Sequence, residues 1–378
     1  MNILFIEHNF YPTMGGVERV TYSLGESLRD KGHQVYYAFY GRDDENLAVG
    51  YKMIFNQSLT DEALYSQFDC FLRKNNIELL ICQNIHTPRF QKLYKRLKEN
   101  HSIKIITCYH ANPDIWVNKN KWGYTFNSIY IKELIRTIYF KVFGNPYKIN
   151  QRGMYEISDR YILLSDSFKL IFCKLNNVDG NKLLAIPNPC PFSEDKENGV
   201  YKKENIVLVV ARMAEQQKRI LETLKIWNTV YSNHLDWKLI IVGDGPDLSR
   251  YKSIASKMKV SNVEFVGSTS TPQDYYRMAK IFMMTSIWEG FPMTLIEAQH
   301  FGCVPIIYDS FASVHDIINN GKDGFIIPLH NRKTYSNRLE MMMSTPKELF
   351  HMSQLCMSNT FFGISDILHK WNNIFNSL

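Results

Sequence analysis

The run "NIVLVVAR", residues 205–212, is continuously apolar until it ends in a cation. A strand of a parallel sheet has this composition when helices cover both of its faces. A second run of the same kind, "KLIIVGDG" at 238–245, follows after a helix-like segment. The two runs predict a βαβ unit whose strands lie side by side in one parallel sheet.

Short apolar runs alternate with helix-like segments along the whole chain. The strand candidates are residues 2–7, 34–40, 79–83, 104–110, 161–165, 183–188, 205–212, 238–245, 263–267, 281–286, 304–310 and 324–328. This alternation predicts an α/β protein with two doubly wound, Rossmann-like domains that face a cleft. In such folds ligands bind beyond the carboxyl ends of the strands, so unusual residues at strand ends are the candidate site.

A segment rich in proline, asparagine and charge, "PNPCPFSEDKENGVYKKEN", interrupts the pattern near its middle. Such a composition is typical of a linker. We therefore expect a first domain over residues 1–188, a linker over 189–204 and a second domain over 205–360. Residues 361–378 carry an apolar stripe at helical spacing, which predicts a terminal helix.

The chain has 378 residues, with 44 basic against 37 acidic side chains and a net charge of +7. This balance suits a polyanionic ligand or an anionic surface. None of the seven cysteines forms a C-x-x-C pair, which argues against zinc and redox sites and favours a reducing, cytoplasmic location. We find no signal peptide, no spanning run of about 18 apolar residues and no nucleic-acid reader motif.

Three features at strand ends could contact an anion or a sugar. Gly15 and Gly16 precede a helix, where a phosphate can approach the backbone, although an ordinary loop fits as well. His110 ends a strand and could bond a hydroxyl, or it could be a satisfied polar residue. Arg212 and Lys218 flank a short loop and could clamp a diphosphate, unless both are solvated surface charges. No G-x-G-x-x-G is present, which argues against a classical dehydrogenase.

The stretch "EGFPMTLIE", residues 289–297, places two glutamates around a turn and the start of a helix. Pro292 suits the first turn of that helix. A carboxylate can accept two hydrogen bonds from a vicinal diol, so Glu289 and Glu297 are candidates for sugar recognition. Acids that merely complement the helix dipole would lie earlier than Glu297.

This E-x7-E spacing closely resembles the signature of the retaining glycosyltransferases of family 4, which have the GT-B fold. The other features occur in the order expected for that family, together with "VGDGP" (242–246) and "GKDGFIIP" (321–328). The resemblance covers nearly the whole chain. It also implies that the terminal helix, 361–378, returns to the first domain.

The resemblance further implies a role for each matching residue. His110 would lie beside the transferred sugar, Arg212 and Lys218 would bind the diphosphate, Glu289 would contact sugar hydroxyls, and Glu297 would hold the nucleotide ribose. The remaining donor contacts would come from Gly15, Gly16, Phe291, Pro292, Met293 and Thr294.

The implied activity is transfer of a sugar from a nucleoside diphosphate, most commonly UDP in similar enzymes, with retained anomeric configuration. The acceptor would be a glycan or a lipid-linked precursor in surface-polysaccharide synthesis. No D-x-D pair occurs, so we expect neither a metal nor any cofactor besides the donor. The alternatives are a sugar-nucleotide epimerase or hydrolase of the same fold and a non-catalytic sugar-nucleotide-binding subunit.

Residues 119–152 carry seven Lys or Arg, one acid and eight aromatic side chains. Read as a helix, the segment leaves aromatic residues beside cations outside its apolar stripe. This pattern predicts peripheral contact with the anionic inner face of the cell membrane. The alternative is that neighbouring loops of the first domain cover these aromatics.

Overall fold

The computed structural model describes residues 1–8, 16–39, 52–55, 58–83, 85–114, 145–192, 202–358 and 362–378. The chain divides into two compact units. Unit 1 comprises Met1–Pro191 and Ile364–Leu378, and unit 2 comprises Phe192–Gly363. Over the described ranges, no helix has the length and apolarity that crossing a membrane requires.

Unit 1 is built on a seven-stranded sheet in the order β3-β2-β1-β4-β5-β6-β7, in which every pairing is parallel. The strands are β1 (Asn2–Glu7), β2 (Gln34–Phe39), β3 (Lys52–Ile54), β4 (Leu79–Cys82), β5 (Lys104–Tyr109), β6 (Arg160–Leu163) and β7 (Leu183–Ala185). Its described helices are α1 (Gly16–Asp30), α2 (Asp61–Lys74), α3 (Pro88–Asn100), α4 (Pro146–Ile157), α5 (Ser167–Asn176) and the terminal α14 (Ile364–Phe375).

Unit 2 has a six-stranded parallel sheet in the order β10-β9-β8-β11-β12-β13. The strands are β8 (Glu204–Val210), β9 (Lys238–Val242), β10 (Val263–Gly267), β11 (Ala279–Met284), β12 (Val304–Asp309) and β13 (Phe325–Pro328). Its helices are α6 (Glu215–Lys218), α7 (Ile220–Val230), α8 (Leu248–Lys257), α9 (Pro272–Met278), α10 (Met293–His300), α11 (Val314–Ile317), α12 (Arg332–Ser344) and α13 (Pro346–Ser358).

The two parallel α/β sheets confirm the predicted fold class, and each of the twelve predicted strands is present. The central strands are buried on both faces, as their unbroken apolar runs require. The structure adds one strand that the sequence did not reveal. This strand, β3, has only three residues, of which Met53 alone is buried, so it lacks an apolar run.

Strand order places a crevice in each sheet. In unit 1 the chain turns back beside β1, whose neighbours are β2 and β4. In unit 2 it turns back beside β8, whose neighbours are β9 and β11. At such a reversal the loops that leave adjacent strands diverge to opposite faces, and ligands enter between them. The functional residues should therefore follow β1 and β4 in unit 1, and β8 and β11 in unit 2.

The terminal helix α14 belongs to the core of unit 1. Its apolar face packs with residues of β1, β2, β4 and β5, and Arg160 Nη2 donates to the carbonyl of Ser377 at 2.9 Å. The buried face consists of Ile367, Leu368, Trp371, Ile374 and Phe375. The helix thus completes the hydrophobic cover of the first sheet, although it is the last part of the chain.

Candidate active site

The loop after β8 carries Arg212, and the loop after β9 holds it in place. Gly243 and Gly245 have φ angles of +130° and +156°. A Cβ atom on Gly243 would lie 1.9 Å from the carbonyl oxygen of Ala211, so only glycine permits this approach. Met213 N donates to the Asp244 carbonyl at 2.9 Å. The "VGDGP" motif therefore fixes the backbone on which Arg212 stands.

Helix α6 continues from this loop and presents Lys218 to the end of β11. The Lys218 ammonium lies 2.6 Å from Glu289 Oε1, and their side chains are only 17% and 8% exposed. Gln217 Nε2 donates to Glu289 Oε2 at 3.1 Å. The Thr285 hydroxyl contacts the Lys218 carbonyl at 3.0 Å, which ties the short helix to β11. The structure thus brings together two predicted site residues from adjacent strand ends.

Arg212 differs from Lys218. It is exposed, and within the described part of the chain its guanidinium forms no hydrogen bond or ion pair. Lys218 has a buried carboxylate partner, whereas Arg212 offers its charge to solvent. The two predicted cations are therefore not equivalent: one is tied to Glu289 and the other is available for an external anion.

The segment between β11 and α10, which contains Glu289, is held by hydroxyl groups from the loop after β12. The Ser313 hydroxyl donates to the Gly290 carbonyl at 2.7 Å, and the Ser310 hydroxyl donates to the Ser286 carbonyl at 2.6 Å. Phe291 packs edge-on against Phe362, with ring centroids 5.7 Å apart. The segment is therefore rigidly placed at the crevice of the second sheet.

Helix α10 begins at Met293, after Pro292, and none of the described side chains forms a capping hydrogen bond at its N-terminus. Thr294 is its second residue and is half-buried. Uncapped N–H groups at a helix start attract anions, because the peptide dipoles place partial positive charge there. The first turn of α10 could therefore receive a phosphate oxygen.

Glu297 lies one turn into α10 and is 6% exposed. The hydroxyl of Tyr276, from α9, donates to Glu297 Oε2 at 2.8 Å. Tyr276 is fully buried, so this bond fixes the carboxylate in a medium of low dielectric. Sequence reasoning found Glu297 through its spacing but missed Tyr276. No local signal could reveal it, because the pairing depends on how α9 packs beside α10.

In unit 1, His110 follows β5, and its Nε2 hydrogen-bonds Gln83 Oε1 at the end of β4. The amide oxygen can only accept, so Nε2 carries the proton and Nδ1 is an acceptor. Nδ1 is buried, and no described residue forms a hydrogen bond with it. Burial, and then the nearby His86, lower the pKa of His110 to about 3, so the ring is neutral near pH 7.

His86 is a second neutral imidazole in the same region, and sequence reasoning did not single it out. Burial lowers its pKa to about 4. Its ring stacks against Tyr109, the residue before His110, with centroids 6.2 Å apart. Its Nε2 is buried and has no hydrogen-bond partner in the part of the chain that the structure describes. Gln83, which is 1% exposed, was also missed. Both follow β4, where the strand order reverses.

Two predicted features fall partly outside the described residues. Gly16 is the first residue of α1, but Gly15 lies outside the described ranges. Of the segment 119–152, only residues 145–152 are described, and Pro146 begins α4 there. The predicted amphipathic helix therefore stays a prediction. Within the described residues, no three His, Cys, Asp or Glu side chains are grouped to hold a metal ion.

Two doubly wound units with charged and polar side chains at their strand ends are typical of α/β proteins that bind nucleotides or sugars. Comparison with known families specifies the class. Residues 14–193 match the model "Glycosyltransferase Family 4", and residues 192–354 match "Glycosyl transferases group 1". The chain belongs to the family 4 type of glycosyltransferase, as the E-x7-E resemblance implied.

Relatives named as glycosyltransferases match the chain, and solved glycosyltransferase structures share its fold. The chain is 22% identical to an uncharacterized glycosyltransferase of Haemophilus influenzae over 95% of this chain and 96% of that protein. It is 30% identical to the amylovoran biosynthesis glycosyltransferase AmsD of Erwinia amylovora over 46% of this chain and 49% of that protein. The pneumococcal O-GlcNAc transferase GtfA, solved with UDP and GlcNAc, has a TM-score of 0.76 at 13% identity, covering 100% and 99% of the two chains. The galactosyltransferase WaaB has a TM-score of 0.73 at 19% identity, with both chains fully covered.

Proposed function

We propose that the protein transfers a sugar from a nucleoside diphosphate, with UDP as the preferred carrier, to a hydroxyl of a glycan or lipid-linked acceptor. The anomeric configuration is retained. Support for the carrier comes from similar structures solved with UDP. Support for the acceptor class comes from relatives named for amylovoran biosynthesis and for galactosyl transfer from UDP-Gal to a diphosphoundecaprenol-linked sugar.

The observation that carries this proposal is the contact of Lys218 and Gln217 with Glu289. One carboxylate oxygen faces the ammonium and the other faces the amide. Each carboxylate oxygen can accept two hydrogen bonds, so acceptor capacity remains for sugar hydroxyls. A fixed, nearly buried carboxylate of this kind recognises a polyol more tightly than a mobile one, because little side-chain entropy is lost on binding.

The other site residues of unit 2 bind the nucleoside diphosphate part of the donor. Arg212, which has no ion pair among the described residues, meets the diphosphate and stabilises its charge as the sugar leaves. The start of α10, near Thr294, contacts a phosphate oxygen through backbone N–H groups. Glu297, held by Tyr276, accepts hydrogen bonds from the ribose diol.

In the reaction the bond between the anomeric carbon and the leaving diphosphate oxygen breaks, and a bond from the acceptor oxygen to that carbon forms on the same face. The acceptor's hydroxyl proton passes to the departing phosphate. The protein supplies orientation and positive charge rather than a covalent nucleophile. In this proposal Arg212, Lys218 and the start of α10 supply the positive charge, and no divalent metal is required.

We place the reaction in the cytoplasm, at the inner face of the cell membrane, where the basic and aromatic segment 119–152 contacts anionic lipid. Attraction of about 1 kcal/mol for each basic residue near the surface should make this contact salt-sensitive. Vesicle co-sedimentation with phosphatidylglycerol at low and high salt tests it, using wild type and Lys132→Glu/Arg136→Glu. Wild type that stays in the supernatant at both salt concentrations would remove the membrane contact and leave a soluble acceptor.

The donor proposal is tested by thermal unfolding with a panel of nucleoside diphosphates and their sugars. A ligand that binds only the folded state stabilises it by about 2.7 kcal/mol at a hundredfold excess over Kd. UDP or a UDP-sugar should raise the midpoint in wild type and in the control Glu264→Gln, which changes an exposed acid of β10. The increase should be much smaller in Glu297→Gln. Equal increases in both variants would place the nucleotide elsewhere.

A further inference from the structure

Unit 2 contains a cavity of about 770 Å³ that none of the candidate site residues lines. It lies where the turn before β13 meets helices α12 and α13. Its size falls within the range of about 300–1,000 Å³ that is usual for small-molecule sites. Its wall combines cations with the apolar side chains of Phe325, Met341 and Leu355.

Three permanent cations line this cavity: Lys322 from the turn, Arg338 from α12 and Lys347 from α13. Among the described residues, none of the three forms an ion pair. By contrast, Arg332 of α12 holds Glu222 through two hydrogen bonds of 2.8 and 2.7 Å. The cavity therefore concentrates positive charge that its one lining acid only partly offsets.

The side chain of Arg338 is oriented by two contacts within the cavity wall. Its guanidinium lies over the Phe325 ring, 4.5 Å from the ring centroid. Its Nη1 is 3.3 Å from the sulfur of Met341. Stacking on an aromatic ring restricts the side chain and leaves its remaining N–H groups for a planar or tetrahedral anion.

The net charge of the lining residues favours a ligand with two negative charges. Three cations less the one lining acid, Glu348, leave a net charge of +2 when His351 is neutral. A phosphate monoester carries about −1.5 to −2 at pH 7, so it balances this charge, whereas one carboxylate does not. The site is an open groove rather than an enclosed pocket, and its volume is sufficient for a discrete small molecule.

We propose that this cavity is a second ligand site, which binds a soluble phosphate monoester through Lys322, Arg338 and Lys347. The carbon skeleton of the ligand packs on Phe325, Met341 and Leu355. The site is independent of the proposed sugar transfer, because its residues belong to a different part of unit 2.

The test is calorimetric titration of the full chain at low salt with phenyl phosphate, using inorganic phosphate and phenol for comparison. Phenyl phosphate should bind most tightly, because it uses both the cations and the apolar wall. The charge reversal Lys322→Glu/Lys347→Glu should weaken it at least about tenfold. Affinity should be unchanged in Lys333→Glu, an exposed lysine of α12 outside the cavity.

Several results would overturn the proposal. Unchanged affinity in Lys322→Glu/Lys347→Glu would place the phosphate elsewhere. A titration in which no phenyl phosphate binds would rule out the proposed site. Capture by phosphatidylglycerol vesicles that requires both lysines, without phenyl phosphate binding, would identify a lipid surface instead. If the double variant does not fold, the single variant Lys347→Gln replaces it, and unchanged affinity for phenyl phosphate in that variant would likewise contradict the proposal.

Discussion

The ammonium of Lys218 and the carboxylate of Glu289 form a nearly buried ion pair, with 2.6 Å between Nζ and Oε1. Lys218 ends α6 and Glu289 follows β11, so the pair connects two loops at the reversal point of the second sheet. Arg212, in the same region, has no comparable partner within the described residues. The two cations should therefore respond differently to removal.

Lys218→Ala should lower both stability and activity, because it leaves the Glu289 carboxylate buried without its cation. Breaking a buried pair costs on the order of 3 kcal/mol. Arg212→Ala should leave the free energy of unfolding within about 0.5 kcal/mol of wild type. It should nevertheless lower kcat by roughly one to two decades, since a charged contact to the leaving group is lost. Calorimetric midpoints and initial rates of both variants test this contrast, and equal stability losses would contradict it.

Tyr276→Phe should weaken nucleotide binding by about tenfold with little effect on kcat. The variant removes the hydroxyl that donates to Glu297 Oε2 and leaves the buried carboxylate with one hydrogen bond fewer. The neighbouring variant Tyr275→Phe is the matched control, because the described residues give its hydroxyl no hydrogen bond. Titration of the preferred nucleoside diphosphate provides the readout. Identical dissociation constants in the two variants would show that Tyr276 does not position Glu297.

Stability should decrease as the pH is lowered below 6.5, partly because of two half-buried histidines whose pKa values are lowered by desolvation. The folded protein holds the pKa of His110 at about 3 and that of His86 at about 4, both below the ordinary value of 6.5. Between pH 6.5 and about 4 the unfolded chain therefore binds protons that the folded chain does not. This difference lowers the free energy of unfolding as the pH falls.

The measurement is the thermal midpoint between pH 7.5 and 4.5 for wild type, His86→Gln and His110→Gln. Carboxyl groups also titrate in this range, so the comparison between variants isolates the histidines. Each glutamine variant should lose less stability than wild type over the window. Parallel profiles in all three proteins would show that these rings do not titrate as their burial requires.

Activity should persist in excess chelator. The chain has no D-x-D pair, and fixed cations at the donor site are proposed to balance the diphosphate charge. Initial rates are measured after dialysis against EDTA, and again after addition of Mg²⁺ or Mn²⁺. Loss of activity that either ion restores would show that a metal completes the site.

The sequence predicts the strands of the fold better than it predicts the side-chain contacts of the candidate site. Unbroken apolar runs reveal twelve of the thirteen strands in the described residues, because strands covered on both faces must be apolar throughout. The spacing of Glu289 and Glu297 likewise identifies the crevice of the second sheet. Their partners are hidden, since Gln217 is 72 positions from Glu289 and Tyr276 is 21 from Glu297. Such pairs arise when separate elements pack together, which no local periodicity encodes.

The most direct test of the proposed activity is the identity of the product formed from the preferred sugar nucleotide and a lipid-linked or polysaccharide acceptor. NMR of the purified product reports the anomeric configuration through its coupling constants. We predict a new glycosidic bond with the configuration of the donor, formed only when acceptor is present. An inverted linkage would contradict the retaining mechanism. Free sugar or epimerised donor, released at the same rate without acceptor, would contradict glycosyl transfer itself.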